Sequence, residues 1–485
     1  MFLGDMSMAA STGTIRNVVD GGFCVGCGAC AVSVPNVISI NKDIYGRYSA
    51  DLRNATSEEL SRASSVCPFA SEVKNETVLS EEIFGDKKFS MDERIGYHDG
   101  IYACRVTDKS VIERSSSGGM TTWLLEKLLL EGDIDGVIHV GESSGENSGL
   151  FDYTISEKIS DLRSRGKSRY YSTTLSNVVQ RVRGNGKKYA IVGVPCFIKA
   201  ARLLCSNHAD LSSQLVYFFA LICGHMKSPG FAELLAWQMA IKPQNLMKFD
   251  FRVKNQNRSA LEYDVTAWND KNENHTTRSG ALYGSNWGHT FFQLKACDFC
   301  DDIVGELGDV TLGDAWLPKY VPDWRGTNIV ICRNERIKSL FLEGAKRGEV
   351  EFDHMNIDQV SFSQAGNYRH RWVGLSYRLK WAKKAGEWTP VKRIKPGSFK
   401  VNYFRRKLIR IRQDITSESH RAFLEAKNRD DLEYFLSTMK PKTDAMGRYY
   451  RAALLYNKLS NMIKPRYALD ALGGKVTKLL RSLVR

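Results

Sequence analysis

Apolar and polar positions along the middle of the chain follow two periods in turn. The run GGMTTWLLEKLLLEG (residues 118–132) is rich in helix formers and stops at a glycine, which predicts a helix, and DGVIHVGE after it is short and apolar enough for a buried strand. KKYAIVGVP (187–195) repeats the strand signal, CFIKAARLLCSNHA (196–209) predicts a helix, and QLVYFFALICG (214–224) a third strand. Elements that take turns at this length predict an α/β core with a largely parallel sheet, from about Tyr97 to Ile357. Beyond Gly366 the strand signals fade, and SHRAFLEAKNRDDLEYFLSTM (419–439) and RYYRAALLYNKLSNMI (448–463) predict amphipathic helices. The first 75 or so residues are loop-rich. Three regions follow: a small N-terminal module with its linker (1–96), the α/β core (97–365) and a mostly helical C-terminal region (366–485).

Composition adds a large core. The 485 residues are 43% apolar and 11% aromatic, enough for two to four domains. No apolar run reaches the roughly 18–20 residues of a membrane helix. The start, MFLGDMSMAA, has no basic segment ahead of an apolar stretch and does not read as a signal peptide, so a cytoplasmic protein is expected. Charge is uneven. From Gly366 onward the chain carries 29 Lys and Arg against 9 Asp and Glu, and the first 365 residues carry 40 against 45. The basic region could meet an anionic membrane surface or an acidic protein. Nucleic acid is disfavoured, because RRKLIRIR (405–412) has no interleaved aromatic residues.

Eleven cysteines in a reducing compartment point to metal, cluster or catalysis rather than disulfides. CVGCGACAVSVP (24–35) nearly matches C-x2-C-x2-C-x3-C-P, the run that wraps a [4Fe–4S] cluster, but Val34 stands where the fourth cysteine belongs. In the two-cluster form that fourth cysteine serves the other cluster. The partner for Cys24, Cys27 and Cys30 is then Cys67, which precedes Pro68. Counting back from Cys67, the other ligand positions are Ser57, Leu60 and Ala63, so one ligand set is complete and the other is wholly absent. A ferredoxin-like module with one [4Fe–4S] cluster is expected; a zinc site is the alternative.

Cys297 and Cys300 in KACDFCDD form a C-x2-C pair, and Cys196 and Cys223 follow predicted strands at the carboxyl edge of the sheet, where ligands of open α/β sheets gather. These four could build a second [4Fe–4S] site; a zinc pair, or buried cysteines acting as small hydrophobes, remain alternatives. Cys104, Cys205 and Cys332 lie in apolar periodic stretches and read as core. RSSSGGMTTW (114–123) opens the first predicted helix, and small residues at a helix start suit a phosphate, although a plain helix cap explains them as well. In GKSRYY, Lys167 and Arg169 could reach a pyrophosphate or sit on a solvated turn.

In this order, CVGCGAC, VCPF, SSSGGM, KSRYY, YAIVGVPCF, ICGH, CDFCDD and GDVTLGDAW resemble the family of coenzyme F-420 hydrogenase/dehydrogenase beta subunits over about Gly22 to Ile357. That family includes hydrogenase beta subunits, 7-hydroxymethyl chlorophyll a reductase and bacterial members linked to polysaccharide biosynthesis. The resemblance implies an iron–sulfur flavoprotein oxidoreductase with FAD beside [4Fe–4S] clusters. Electrons would pass between a redox partner such as ferredoxin, or another carrier, and a small-molecule substrate. Position by position, Ser116, Ser117, Gly118, Gly119 and Thr122 match the family's flavin turn, and Lys167, Ser168 and Arg169 its basic flavin segment. Cys196, Cys223, Cys297 and Cys300 match its core cluster cysteines, and Asp314 an acidic position near the flavin. The basic region after Gly366 matches no catalytic motif of the family and resembles the polysaccharide-linked branch more than the hydrogenase subunits. A reading from another class is a non-enzymatic electron-transfer or scaffold subunit that binds clusters and a partner protein.

Overall fold

The computed structural model describes residues 13–143 and 149–463. Its centre is an eight-stranded sheet built from β1 (Gly100–Val106), β2 (Gly136–Glu142), β3 (Phe151–Ser156), β4 (Tyr189–Gly193) and β5 (Leu215–Leu221). After β5 the chain leaves to form a three-stranded antiparallel sheet, β6 (Leu246–Val253), β7 (Asp264–Asn269) and β8 (Asn274–Arg278). It then returns as β9 (Val310–Asp314), β10 (Asn328–Cys332) and β11 (Val350–His354), giving the order β11-β1-β10-β9-β5-β4-β2-β3.

The four strands β2, β4, β5 and β9 run parallel, and every other pairing in the large sheet is antiparallel. The expected largely parallel sheet is therefore corrected to a mixed one. The connections explain it. Residues 143–150 between β2 and β3 are too few to carry a crossover helix, and 315–327 between β9 and β10 fold into successive turns instead. All five residues of β4 and all five of β10 are buried, as strands covered on both faces require.

Helix α1 (Met120–Leu130) joins β1 to β2, and α2 (Pro195–Asn207) joins β4 to β5 with proline at its first turn, where the missing N–H costs nothing. The N-terminal residues contribute a short helix, Ala29–Ser33, a hairpin of Ser39–Lys42 with Tyr48–Asp51, and the helix Ser57–Ser65. Apolar residues from this part, such as Ile15, Phe23 and Val32, share one buried cluster with Leu203 and Leu204 of α2 and with Leu375 and Leu379.

The C-terminal region is built into the fold. Helices α3 (Tyr403–Arg429) and α4 (Leu432–Ile463) pack on each other and on the three-stranded sheet, so that Phe404, Phe423 and Phe435 share a cluster with Phe249, Phe251 and Phe292. The predicted helix over 419–439 is broken at Asp430, whose positive φ of 52° ends α3. Its second part, 432–439, and the predicted helix over 448–463 instead belong to the single α4, which runs through Pro441. Burial of Phe435 and Met439 against α3 outweighs the local cost of proline in a helix. Among the described residues, no helix is long and apolar enough to cross a membrane.

Candidate functional site

Cys24, Cys27, Cys30 and Cys67 line one apolar pocket with Ile15, Phe23 and Phe69. The loop that carries the first three needs its glycines: Gly26 and Gly28 have φ of 70° and 86°, and a Cβ on Gly28 would lie 2.5 Å from Thr174 Oγ1. That close approach seats the loop on 174–176, where the Leu175 N–H donates to the Cys27 carbonyl at 2.9 Å. Cys67 arrives directly after the helix Ser57–Ser65, whose start is fixed by a reciprocal Thr56–Glu59 capping box.

The second set gathers at the carboxyl ends of the parallel strands. Cys196 is the second residue of α2, Cys223 stands two residues beyond β5, and Cys297 lies within and Cys300 just after a tight turn at Lys295–Phe299. Burial pushes the Cys223 thiol up to about 11 and, helped by Cys223, the Cys297 thiol up to about 12, while Arg371 pulls both down. The Cys196 thiol is also held high, by burial first and then by Cys300, Cys223, Cys297 and Cys27. Cys27 of the first set is thus near enough to Cys196 of the second to act on it electrostatically. Among the described residues, no group of three or more Cys, His, Asp or Glu is placed to hold a single metal ion. Soft thiolates in sets of four do fit iron–sulfur clusters, in which each thiolate binds a different iron and the sulfurs stand farther apart than around one zinc. Cys104 and Cys332 are buried in β1 and β10, and Cys205 is partly buried on α2.

A cavity of about 980 Å³ opens beside the second set, and Cys223 is part of its wall. Ser116, Ser117, Gly119, Thr122, Lys167, Ser168, Arg169 and Asp314 all line it. The two flavin-matched segments are joined by a hydrogen bond from the Ser168 N–H to Ser116 Oγ at 2.9 Å. Gly119 fills the cap position of α1 with a φ of 80° and no side chain of its own, and Asn328 Oδ1 accepts from the Met120 N–H at 3.2 Å. Lys167 pairs with Asp250 at 2.7 Å, and Arg169 lies over the Phe151 ring at 4.9 Å with its Nε buried and unpartnered among the described residues. Asp314 is held by Arg252 at 2.8 Å. Six cations line the cavity, Arg165, Lys167, Arg169, Lys227, Arg252 and Arg412, against the single carboxylate of Asp314. Such a wall suits an anionic ligand of dinucleotide size.

Gly118 does not line the cavity. It lets the turn lie against β1: a Cβ there would stand 2.7 Å from the Cys104 carbonyl and 2.9 Å from Asn328 Oδ1. Gly118→Ala should therefore cost about 1–3 kcal/mol, the usual range for overpacking. Urea unfolding would read this as a lowered midpoint; an unchanged midpoint would show that the turn can move away.

Nothing in the sequence singles out Arg371. Its guanidinium, 2% exposed, donates to Cys300 Sγ at 2.5 Å and to the carbonyls of Cys300, Gly224 and Asp302 at 2.7, 2.7 and 2.8 Å. It sits on a π-helical turn, Arg369–Val373, a distortion often found at functional sites. Sequence reasoning misses Lys227, His225 and Arg412 in the cavity wall as well.

Residues 101–180 match the N-terminal model, and residues 186–357 the C-terminal model, of the coenzyme F420 hydrogenase/dehydrogenase beta subunit. The chain is 25% identical over 368 residues to a coenzyme F420-dependent sulfite reductase of Methanocaldococcus jannaschii, an alignment that takes in 70% of this chain and 49% of that protein. It is 26% identical over 337 residues to one of the subunits of the F(420)H(2) dehydrogenase of Methanosarcina mazei, covering 66% of this chain and 82% of the relative. A chain of the F420-reducing [NiFe] hydrogenase complex of Methanosarcina barkeri superposes with a TM-score of 0.46 at 18% identity, over 60% of this chain and 96% of that one. The chain thus spans about half the length of the sulfite reductase and most of the dehydrogenase polypeptide. Since the two models together match more than half of its residues, the chain belongs to the family of coenzyme F420 hydrogenase/dehydrogenase beta subunits.

Proposed function

We propose that this chain is an iron–sulfur flavoprotein subunit of an oxidoreductase. In this reading it holds one [4Fe–4S] cluster on Cys24, Cys27, Cys30 and Cys67, a second on Cys196, Cys223, Cys297 and Cys300, and FAD in the cavity, and it passes electrons between a redox partner and a small organic substrate. One observation carries the reading: Cys223 belongs to the second thiol set and also lines the cavity, while Cys27 of the first set is near enough to act electrostatically on Cys196 of the second. A flavin supplies the exchange between one-electron carriers and a two-electron substrate. Ser116, Ser117 and Gly119 at the start of α1, with Lys167, Ser168 and Arg169, would hold its phosphates, and Thr122 and Asp314 complete that wall. Gly118 would act indirectly, by letting the turn approach β1.

Anaerobically purified protein should carry about eight iron atoms with matching acid-labile sulfide, four for each cluster. Heating should release a flavin, and its absorption in the native protein should bleach with dithionite and return on adding the right acceptor. The relatives named above carry coenzyme F420 in their names, so that deazaflavin is the first acceptor to try, ahead of sugar-derived substrates that a polysaccharide-linked enzyme would use. Zinc in place of iron and sulfide would end the cluster reading. Clusters without flavin would favour the second reading, an electron-carrying subunit without its own substrate, which the beta-subunit descriptions of the matched models also accommodate.

A further inference from the structure

The cations of the C-terminal region fall into two kinds. Between Asp414 and Asp444 each one has a carboxylate partner: Arg421 pairs with Glu418, Lys427 with Glu233, Arg429 with Glu425, Lys440 with Asp444 and Lys442 with Asp414. The stretch from Tyr377 to Arg410 is different. It holds twelve Lys and Arg against the single acid Glu387. Arg378 and Arg393 turn inward, to Asp298 and Glu306. Lys380, Lys383, Lys384, Lys400, Arg406 and Arg410 are exposed and, among the described residues, in no ion pair. These cations surround aromatic rings. Tyr377, Lys380, Trp381 and Lys384 stand at i, i+3, i+4 and i+7 of the helix Gly374–Ala385 and share its outer face. Arg410 of α3 lies over the Trp381 ring at 4.0 Å, yet Trp381 remains 51% exposed. The loop ahead of α3 returns to the same helix: the Gly397 N–H donates to the Ser376 carbonyl at 2.9 Å, and the Phe399 N–H to Ser376 Oγ at 3.1 Å. Phe399, 38% exposed, and Lys400 thereby join the patch.

Cations gathered without acids repel one another in water, and a half-exposed indole keeps apolar surface wet. We propose that the outer face of the helix Gly374–Ala385, with Phe399, Lys400 and the first turns of α3, docks this chain on the surface of a bilayer that contains anionic lipids. The lipid phosphates neutralise the cations, and the rings of Trp381 and Phe399 sit at headgroup level, where amphipathic aromatics are favoured. Long basic side chains around an exposed ring are the composition of helices that lie in the plane of a membrane interface. An acidic protein surface would satisfy the charge alone, whereas headgroups over acyl chains satisfy the charge and the rings together. The patch lies outside both family-matched segments, so the C-terminal region adds it to the matched core, and it does not rest on the redox reading above.

Co-sedimentation of the full chain with vesicles tests this, using phosphatidylcholine alone and phosphatidylcholine mixed with one-third phosphatidylglycerol. The chain should pellet with the mixed vesicles and stay in solution with the neutral ones, and binding should fall steeply between about 0.1 and 0.5 M salt. Each cation near the surface is worth about fivefold in affinity, so the double variant Lys380→Gln, Lys384→Gln should bind about 25-fold more weakly. Both positions are exposed, and the variant should melt like the unmutated protein. Lys440→Gln removes a cation that is already paired, and should leave vesicle binding unchanged. Tryptophan emission should shift to the blue on adding mixed vesicles, and Trp381→Phe should remove most of that shift. Absence of binding to the mixed vesicles at low salt, equal binding to neutral ones, full affinity in the double variant, or a blue shift that survives Trp381→Phe would each overturn the proposal. Salt-sensitive binding to polyglutamate by a chain that ignores the mixed vesicles would assign the patch to an acidic protein instead.

Discussion

Replacing Cys297 by serine is expected to remove about half of the bound iron and sulfide, from about eight atoms of each to about four. Cys297 is buried at the centre of the second set: Cys223 and Cys300 both raise its thiol, and the Met226 N–H donates to its sulfur at 3.3 Å. A serine oxygen keeps that hydrogen bond but is a poor ligand for iron. The first set keeps all four thiols and should keep its cluster. Flavin content should hold, because the flavin-matched residues lie in β1–α1 and 167–169, while reoxidation by an organic acceptor should slow steeply. Cys205→Ser, outside both sets on α2, is the control and should leave iron unchanged. Full iron in Cys297→Ser would mean that 196, 223, 297 and 300 hold no cluster.

The parts of this site that are legible in the sequence are those with short-range signatures. The Cys24, Cys27, Cys30 triad advertises itself by spacing, and Cys67 by the proline that follows it. The Ser116–Gly119 turn and the Lys167–Arg169 segment are readable because glycine, serine and a basic pair stand beside predicted element ends. Strand direction is less legible, since it depends on whether a connection carries a helix, and 315–327 looks much like other polar loops. Least legible are Arg371 and Arg412. They come from a region with 29 basic residues, where nothing local separates an inward guanidinium from a solvated one. Arg371 finds Cys300 across 71 residues, and Arg412 finds Gly288 across 124. The net charge of that region suggests an outward-facing surface. The helices that carry the charge also bury Phe404, Phe423 and Phe435, and this turns Arg412 toward the cavity.

Arg371 is the residue on which the second thiol set depends most. One guanidinium ties the carbonyls of Cys223 and Gly224, at the end of β5, to Cys300 and the Asp302 carbonyl on the facing loop. Arg371→Met should therefore lower stability by about 3–5 kcal/mol, because it leaves several buried acceptors unpaired at once. Arg371→Lys returns the charge but not the planar fork, and should recover only part of the loss. A second effect separates the electrostatic role from the structural one. The guanidinium is a positive charge in hydrogen-bond contact with Cys300 Sγ, and if that sulfur is a cluster ligand, as proposed, such a charge favours the reduced cluster. In Arg371→Met protein that retains its iron, the midpoint potential of the second cluster should become more negative, with Arg371→Lys in between and the first cluster nearly unmoved. Redox titration followed by electron paramagnetic resonance reads both clusters in one sample. Lost stability with an unchanged potential would make Arg371 a structural tie alone; a shift in the second cluster that lysine partly reverses would show that its charge sets how readily electrons pass from the cysteine sets toward the cavity.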